Sequence, residues 1–172
     1  MPSPSPWVIP APKKSLVAGV ADMVVSNDPS AELVAYSLGS CLGVTVYDPG
    51  KKVGGLLHLM LPDSSIDSIK AAGSPLMFVD TGVPRLFRAV VNLGAERSRL
   101  AIKVAGGAQF LDPGRIFNIG ERNQQALREL LARNGYTIRA EDFGGVTSRT
   151  IRLDMATGQV AVSCPGAKPY SI

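Results

Sequence analysis

Residues that bind metals or form disulfides are scarce in this chain of 172 residues, which contains two cysteines and one histidine. Cys41 and Cys164 are too few for a disulfide framework, and the sequence has neither a C-x-x-C pair nor the Cys/His spacing of a zinc site. We therefore expect two free thiols in a reducing compartment, with no metal and no cofactor. A disulfide between the two is the alternative, but no sign of secretion supports it.

Long apolar runs and runs of a single charge are missing as well. The most apolar stretch, residues 53–61, has about half of the roughly 20 residues that a membrane-spanning helix needs. The chain carries 18 Lys and Arg against 14 Asp and Glu, but these residues are scattered, which indicates a solvated basic surface that assists encounter with acidic partners. These absences argue against membrane insertion and against nucleic-acid binding.

What is present is the composition of a folded domain, since 45% of the residues are hydrophobic. We expect a flexible Pro-rich tail over residues 1–14 and one domain over residues 15–172. Seven or eight strands and two helices without β-α-β alternation predict an α+β fold of layered sheets flanked by helices. The predicted strands include residues 15–25, 32–38, 42–47, 53–61, 100–104, 150–155 and 159–163. An exposed loop is predicted over residues 63–74, one helix from Asp80 or Thr81 to Gly94, and another from about residue 120 to 135.

The first chemical signal is Cys41, which lies between Gly39 and Gly43. Glycines there let the backbone turn tightly or approach a ligand closely. The G-x-C-x-G spacing imitates the nucleophile elbow of α/β-hydrolases. That fold is rejected, because the elbow needs a helix after the nucleophile and residues 42–47 have the alternation of a strand.

The second signal is His58, the one histidine, within an otherwise apolar run. Strands 42–47 and 53–61 form a hairpin whose Pro49-Gly50 pair suits the centre of a type II turn. If Tyr47 pairs with Lys52, Cys41 lies directly opposite His58 on the same face of the sheet. Two unrelated core residues are the alternative, and a slip of one residue would separate the pair.

A neighbouring imidazolium lowers the pKa of a thiol and favours the nucleophilic thiolate. We therefore expect Cys41 to attack a carbonyl and His58 to protonate the leaving group, with hydrolysis of a thioester as the last step. Peptide N–H groups around Gly39, Ser40 and Cys41 are the expected oxyanion donors. This chemistry alone permits a peptidase, an esterase or an amidase.

Several motifs together resemble the CheD family of chemoreceptor glutamine deamidases, and the resemblance extends from about residue 17 to the C-terminal hairpin. The motifs are LGSC at 38–41, YDP at 47–49, HLMLPDS at 58–64, VAGGA at 104–108, NIGERN at 118–123 and EDFGG at 141–145. The resemblance implies hydrolysis of glutamine side-chain amides on methyl-accepting chemotaxis receptors to glutamate and ammonia. It also implies Cys41 as nucleophile, His58 as base, a fold akin to deamidating bacterial toxins, a cytoplasmic location and a CheC-type phosphatase as partner.

One position departs from the family pattern. A Thr six residues before the nucleophile commonly completes the catalytic group, and this chain has Ala35 there. Ser37 could orient His58 instead, although an ordinary strand serine explains it as well. An alternative function follows, in which a weakly active or inactive binding protein docks receptors or the phosphatase. The glycine pairs at 106–107 and 144–145 could also line the site, although tight turns explain them equally well. Asn118 and Asn123 could contact substrate, although a helix cap or a loop hydrogen bond is the simpler explanation for Asn118.

Overall fold

The computed structural model describes residues 12–109 and 117–172. The described residues form ten strands and three α-helices. In chain order these are β1 (Lys14–Val17), β2 (Asp22–Ser26), β3 (Ala31–Leu38), β4 (Leu42–Asp48), β5 (Val53–Leu59), α1 (Ser68–Gly73), α2 (Val79–Asn92), β6 (Ala101–Gly106), α3 (Ile119–Arg133), β7 (Ile138–Phe143), β8 (Arg149–Asp154), β9 (Val160–Ser163) and β10 (Tyr170–Ser171). Sheet 1 has the strand order β1-β3-β8-β9-β10, and sheet 2 has the order β2-β5-β4-β6-β7.

The two sheets and the two long helices form three layers. One face of sheet 2 packs on α2 and α3, where Leu57 belongs to the core, and the other face packs on sheet 1, where Leu56 belongs to a second core. Because both faces of sheet 2 are covered, β4 and β5 are buried at every position. The predicted α+β class is confirmed. The predicted kinship with deamidating toxins stays a prediction.

The start of the chain differs from the sequence-based expectation. Most of the predicted tail lies outside the described residues, and its last residue, Lys14, already belongs to β1. The single strand predicted over residues 15–25 is wrong, because the segment is divided into β1 in sheet 1 and β2 in sheet 2. Ala21 adopts a left-handed conformation at φ 56°, and this kink lets the chain cross from one sheet to the other.

The segment before α2 is helical where a loop was predicted. Residues 64–66 form a 3₁₀ turn and residues 68–73 form α1, with Asp67 accepting a hydrogen bond from the Lys70 amide at 2.9 Å. The helix α2 begins at Val79, earlier than predicted, and Asp80 does not cap it but accepts from the Ser64 amide at 2.9 Å. Within the described ranges, no helix combines the length and the apolar composition needed to cross a membrane.

The β4–β5 hairpin is closed by a buried carboxylate. Asp48 has no exposed side-chain surface and accepts from the amides of Gly50 and Glu96, both at 2.8 Å, and from two guanidinium nitrogens of Arg99, both at 2.9 Å. The Arg99 hydrogen bonds hold the pKa of Asp48 well below its ordinary value. The predicted type II turn is wrong, because Lys52, at φ 53°, and not Gly50 takes the left-handed conformation.

Candidate active site

Cys41 lies on a bend of residues 39–41 that joins β3 of sheet 1 to β4 of sheet 2. Its side chain is partly buried and packs against the core between the two sheets, with Leu38 among the residues of that core. Because the bend is where the chain passes from one sheet to the other, the thiol lies at the edge of the layer between them.

The segment after β6 holds this bend from one side. The amide of Gly107 donates to the Cys41 carbonyl at 2.9 Å, and the amide of Ala108 donates to the Gly39 carbonyl at 2.8 Å. Gly106 has φ +124°, and a Cβ there would lie only 2.2 Å from the Cys41 carbonyl oxygen. The close approach of two backbones therefore requires glycine at this position.

The glycine pair at 144–145 in turn forms hydrogen bonds with the segment at the end of β6. The Gly144 amide donates to the Gly106 carbonyl, and the Gly145 carbonyl accepts from the Gln109 amide, each at 3.0 Å. Both glycines have positive φ, at +76° and +68°. The pair thus anchors the segment that holds the bend carrying Cys41.

Asn123 on α3 binds the bend from the helix side. Its side chain is fully buried, and its Nδ2 donates to the Ser40 carbonyl at 2.9 Å and to the Met60 carbonyl at 2.8 Å. Oδ1 has no hydrogen-bond partner among the described residues. Asn118 is the N-cap residue of α3, but its side chain binds Gln109 and Glu121 and caps no amide.

His58 lies near the end of β5 with only 3% of its surface exposed. Its cross-strand neighbours are Asp22 on β2 and Gly43 on β4. Within the described part of the chain, neither imidazole nitrogen has a partner at hydrogen-bond geometry. A buried imidazole with both nitrogens unpaired has its full capacity to donate and to accept a proton available for another molecule.

The predicted register of the hairpin is wrong by two residues. Tyr47 pairs with Gly54 and not with Lys52, so that His58 lies opposite Gly43 and not opposite Cys41. An even shift preserves the face on which each side chain lies. Cys41 packs against the inter-sheet core from the bend before β4, and His58 lies opposite Gly43, where an added Cβ would meet Ile151 and Leu38 of that same core. Both residues therefore lie on the inter-sheet side of sheet 2.

Burial acts against the charged form of both side chains. Burial raises the pKa of the Cys41 thiol, against a smaller lowering by its own backbone amide. Burial also lowers the pKa of His58, and a weaker backbone contribution from Ala18, outside hydrogen-bond geometry, opposes it. The expected thiolate–imidazolium pair is therefore disfavoured before substrate binds, and His58 is suited to act as a base during the attack.

The residue at the expected third catalytic position, Ala35, has no side-chain group that could form a hydrogen bond with the imidazole of His58. Ala35 is fully buried and pairs with Ile151 in sheet 1. Ser37 lies in the irregular end of β3 at φ 55° and lines a cavity together with Arg149 and Cys164, to which neither Cys41 nor His58 contributes. Among the residues described, no hydrogen bond joins Ser37 to His58, so its orienting role stays a prediction.

Sequence comparisons identify relatives that cover most of the chain. Residues 60–164 match the family model described as CheD chemotactic sensory transduction. A protein of Syntrophus aciditrophicus called "Probable chemoreceptor glutamine deamidase CheD 1" is 47% identical over 88% of this chain and 94% of its own length. Proteins called "Probable chemoreceptor glutamine deamidase CheD" from Solibacter usitatus and Pyrococcus horikoshii are 45% and 42% identical over 86% of this chain and 87% and 90% of theirs.

Proposed function

The chain belongs to the CheD family of chemotaxis proteins, and on that basis we propose that it hydrolyses glutamine side-chain amides on chemoreceptors to glutamate and ammonia. The observation that carries the proposal is that a partly buried thiol and a buried imidazole, whose nitrogens have no hydrogen-bond partner among the described residues, lie on the same inter-sheet side. The bend that presents Cys41 is itself held by hydrogen bonds to its carbonyls. The names of the relatives support the choice of substrate.

In the first half of the reaction, the sulfur of Cys41 attacks the amide carbon while His58 takes the thiol proton. The tetrahedral oxyanion is stabilised by peptide N–H groups of the bend at Ser40 and Cys41. The imidazolium of His58 then gives its proton to the amide nitrogen, and the carbon–nitrogen bond breaks with release of ammonia. The product on the enzyme is a thioester of Cys41.

In the second half, His58 takes a proton from water, and the resulting hydroxide attacks the thioester carbon. The carbon–sulfur bond breaks, the glutamate side chain leaves, and Cys41 recovers its proton from His58. Burial lowers the pKa of His58, which suits this role because it favours the neutral imidazole that can accept a proton.

We expect the substrate glutamine to lie on a helical receptor segment. Backbone amides of a helix are engaged in their own hydrogen bonds, whereas a glutamine side chain projects its amide away from the helix axis. The basic balance of the chain assists encounter with acidic receptor surfaces. We further propose a cytoplasmic location, where such receptor helices lie, and a CheC-type phosphatase as a partner.

The alternative function is a binding protein with little or no turnover. Ala35 supports it, since a methyl group cannot hold the imidazole of His58 in one orientation. In that case the same surface docks receptors or the phosphatase without releasing ammonia.

The deciding experiment incubates the reduced protein with a helical cytoplasmic receptor fragment. Ammonia is measured together with the intact mass of the fragment, which rises by about 1 Da for each amide hydrolysed through the thioester route. Release of ammonia by the wild type and not by Cys41→Ala supports the deamidase. Binding without ammonia supports the docking protein, and cleavage of the receptor chain would identify a peptidase.

A further inference from the structure

We propose that Asn123 is a positioning residue that sets the orientation of the Ser40–Cys41 peptide, so that the Cys41 amide N–H faces the carbonyl under attack. The inference rests on the proposed function and extends it to a residue on α3. The evidence is the pair of hydrogen bonds from Asn123 Nδ2, which end on the Ser40 carbonyl at 2.9 Å and on the Met60 carbonyl at 2.8 Å.

The two carbonyls that Asn123 binds belong to the two catalytic segments. Ser40 immediately precedes Cys41, and Met60 follows His58 by two residues. A single, fully buried amide group therefore ties the nucleophile bend to the end of β5. A rigid link of this kind fixes where Cys41 lies relative to His58, although Asn123 touches neither reacting atom.

Peptide geometry converts this link into an orientation. In a planar trans peptide the C=O and N–H bonds point in opposite directions. Since the Ser40 carbonyl points inward to Asn123, the Cys41 N–H points outward from α3.

The two neighbouring peptides of the bend are also held by hydrogen bonds to their carbonyls. The Gly39 carbonyl is bound by the Ala108 amide and the Cys41 carbonyl by the Gly107 amide. Three successive carbonyls of the bend are thus engaged, and Asn123 supplies the side-chain donor among these three bonds. Of the three contacts, it is the one that a substitution can remove while the backbone donors remain.

The test compares Asn123→Ala with Asn134→Ala in a Cys164→Ser background. Asn134 is a matched control, because it also lies at α3 and its Nδ2 donates to a backbone carbonyl, that of Leu130 at 2.8 Å, on an exposed surface. Two reactions of Cys41 are measured. Acyl transfer from p-nitrophenyl acetate passes through an oxyanion, whereas alkylation by iodoacetamide needs the thiolate alone.

Asn123→Ala is expected to slow acyl transfer by roughly 10- to 100-fold, less than the 10²–10³-fold loss on complete removal of an oxyanion donor. The alkylation rate is expected to change by less than about threefold at the same pH, because the thiol itself is intact. Asn134→Ala should leave both rates unchanged. A parallel fall in both rates for Asn123→Ala, or a fall in neither, overturns the proposal.

Asn123→Ser replaces Asn123→Ala if the alanine variant does not fold. A further measurement uses the wild type: amide hydrogen exchange at Cys41 should be fast in the free protein and slowed in the acetylated one, and strong protection in the free protein overturns the proposal.

The outcome of this test is separate from that of the proposed function. A wild type that acylates but releases no ammonia from the receptor fragment refutes the deamidase alone, whereas a wild type that does not acylate refutes the oxyanion site.

Discussion

Among substitutions that add a single methyl group near Cys41, Gly106→Ala is expected to displace Cys41 the most. A Cβ at Gly106 would lie 2.2 Å from the Cys41 carbonyl oxygen and 3.3 Å from the Cα of Leu42, both backbone atoms. To reach even 3.0 Å, the bend must withdraw by about 0.8 Å. Rotation of a side chain cannot relieve this contact, so the displacement is passed to Cys41.

The magnitude has two parts. A non-glycine residue at φ +124° costs about 2 kcal/mol in backbone strain, and overpacking against fixed backbone adds about 2 kcal/mol. Gly94 separates them, because it has a similar φ of +112° but a Cβ added there would meet no atom within 4 Å. Gly94→Ala should therefore be destabilised only by the backbone strain, and the midpoints of thermal unfolding of the two variants should differ by roughly 4–8 °C.

Activity provides the sharper assay. A displacement near 1 Å at a reacting group can cost about 10²-fold in rate, so ammonia release by folded Gly106→Ala should fall by about that factor. Gly94→Ala should retain wild-type activity. If the two variants lose equal stability and both remain active, the close approach of Gly106 to Cys41 does not constrain the site, and the reasoning is refuted.

Four further predictions concern the ionisable groups. Cys41→Ala should abolish ammonia release with the fold retained by circular dichroism, whereas Cys164→Ala should leave activity largely unchanged; equal loss in both would contradict the assignment. Alkylation of Cys41 by iodoacetamide should rise with pH through a pKa above the ordinary thiol value, and a rate plateau between pH 6 and 8 would instead indicate a preformed ion pair. Because the pKa of His58 is lower folded than unfolded, its contribution to stability is present above about pH 6.5 and is lost as the pH falls below it; denaturant unfolding should show this slope weakened in His58→Gln. Asp48→Asn should cost about 3 kcal/mol in the free energy of unfolding, since it removes the buried carboxylate that binds two nitrogens of Arg99 and leaves only the exposed Glu96 as charge partner. A loss below about 0.5 kcal/mol would show the hairpin closure to be unimportant.

Much of the site follows from local pattern. Alternation of apolar residues identified β4, β5 and the hairpin between them, and the same period of two placed Cys41 and His58 on one face. The side-chain period made that conclusion robust, because the register error was an even number of residues. Motif similarity indicated the family, which the comparisons confirmed.

The register itself was decided by tertiary contacts. The predicted turn treated Gly50 as the residue with positive φ, but the Asp48 carboxylate draws the amide of Gly50 inward and binds Arg99, which lies 51 residues away. The residues near Asp48 in the sequence give no indication that Arg99 is its partner. The hairpin therefore closes one residue later than the turn chemistry suggests, and His58 lies opposite Gly43.

The sequence by itself determined the α+β class, the two long helices, and the thiol and imidazole that share a face, because each depends on periodicity within a short segment. Only the tertiary structure decided that Asn123 joins Ser40 to Met60 and that Gly106 lies against Cys41. Those contacts join segments more than 50 residues apart. Each of them ends on a backbone carbonyl, a group that every residue has, so the sequence does not identify the partner. Burial, which is likewise a property of the assembled layers, raises the pKa of Cys41 and lowers the pKa of His58.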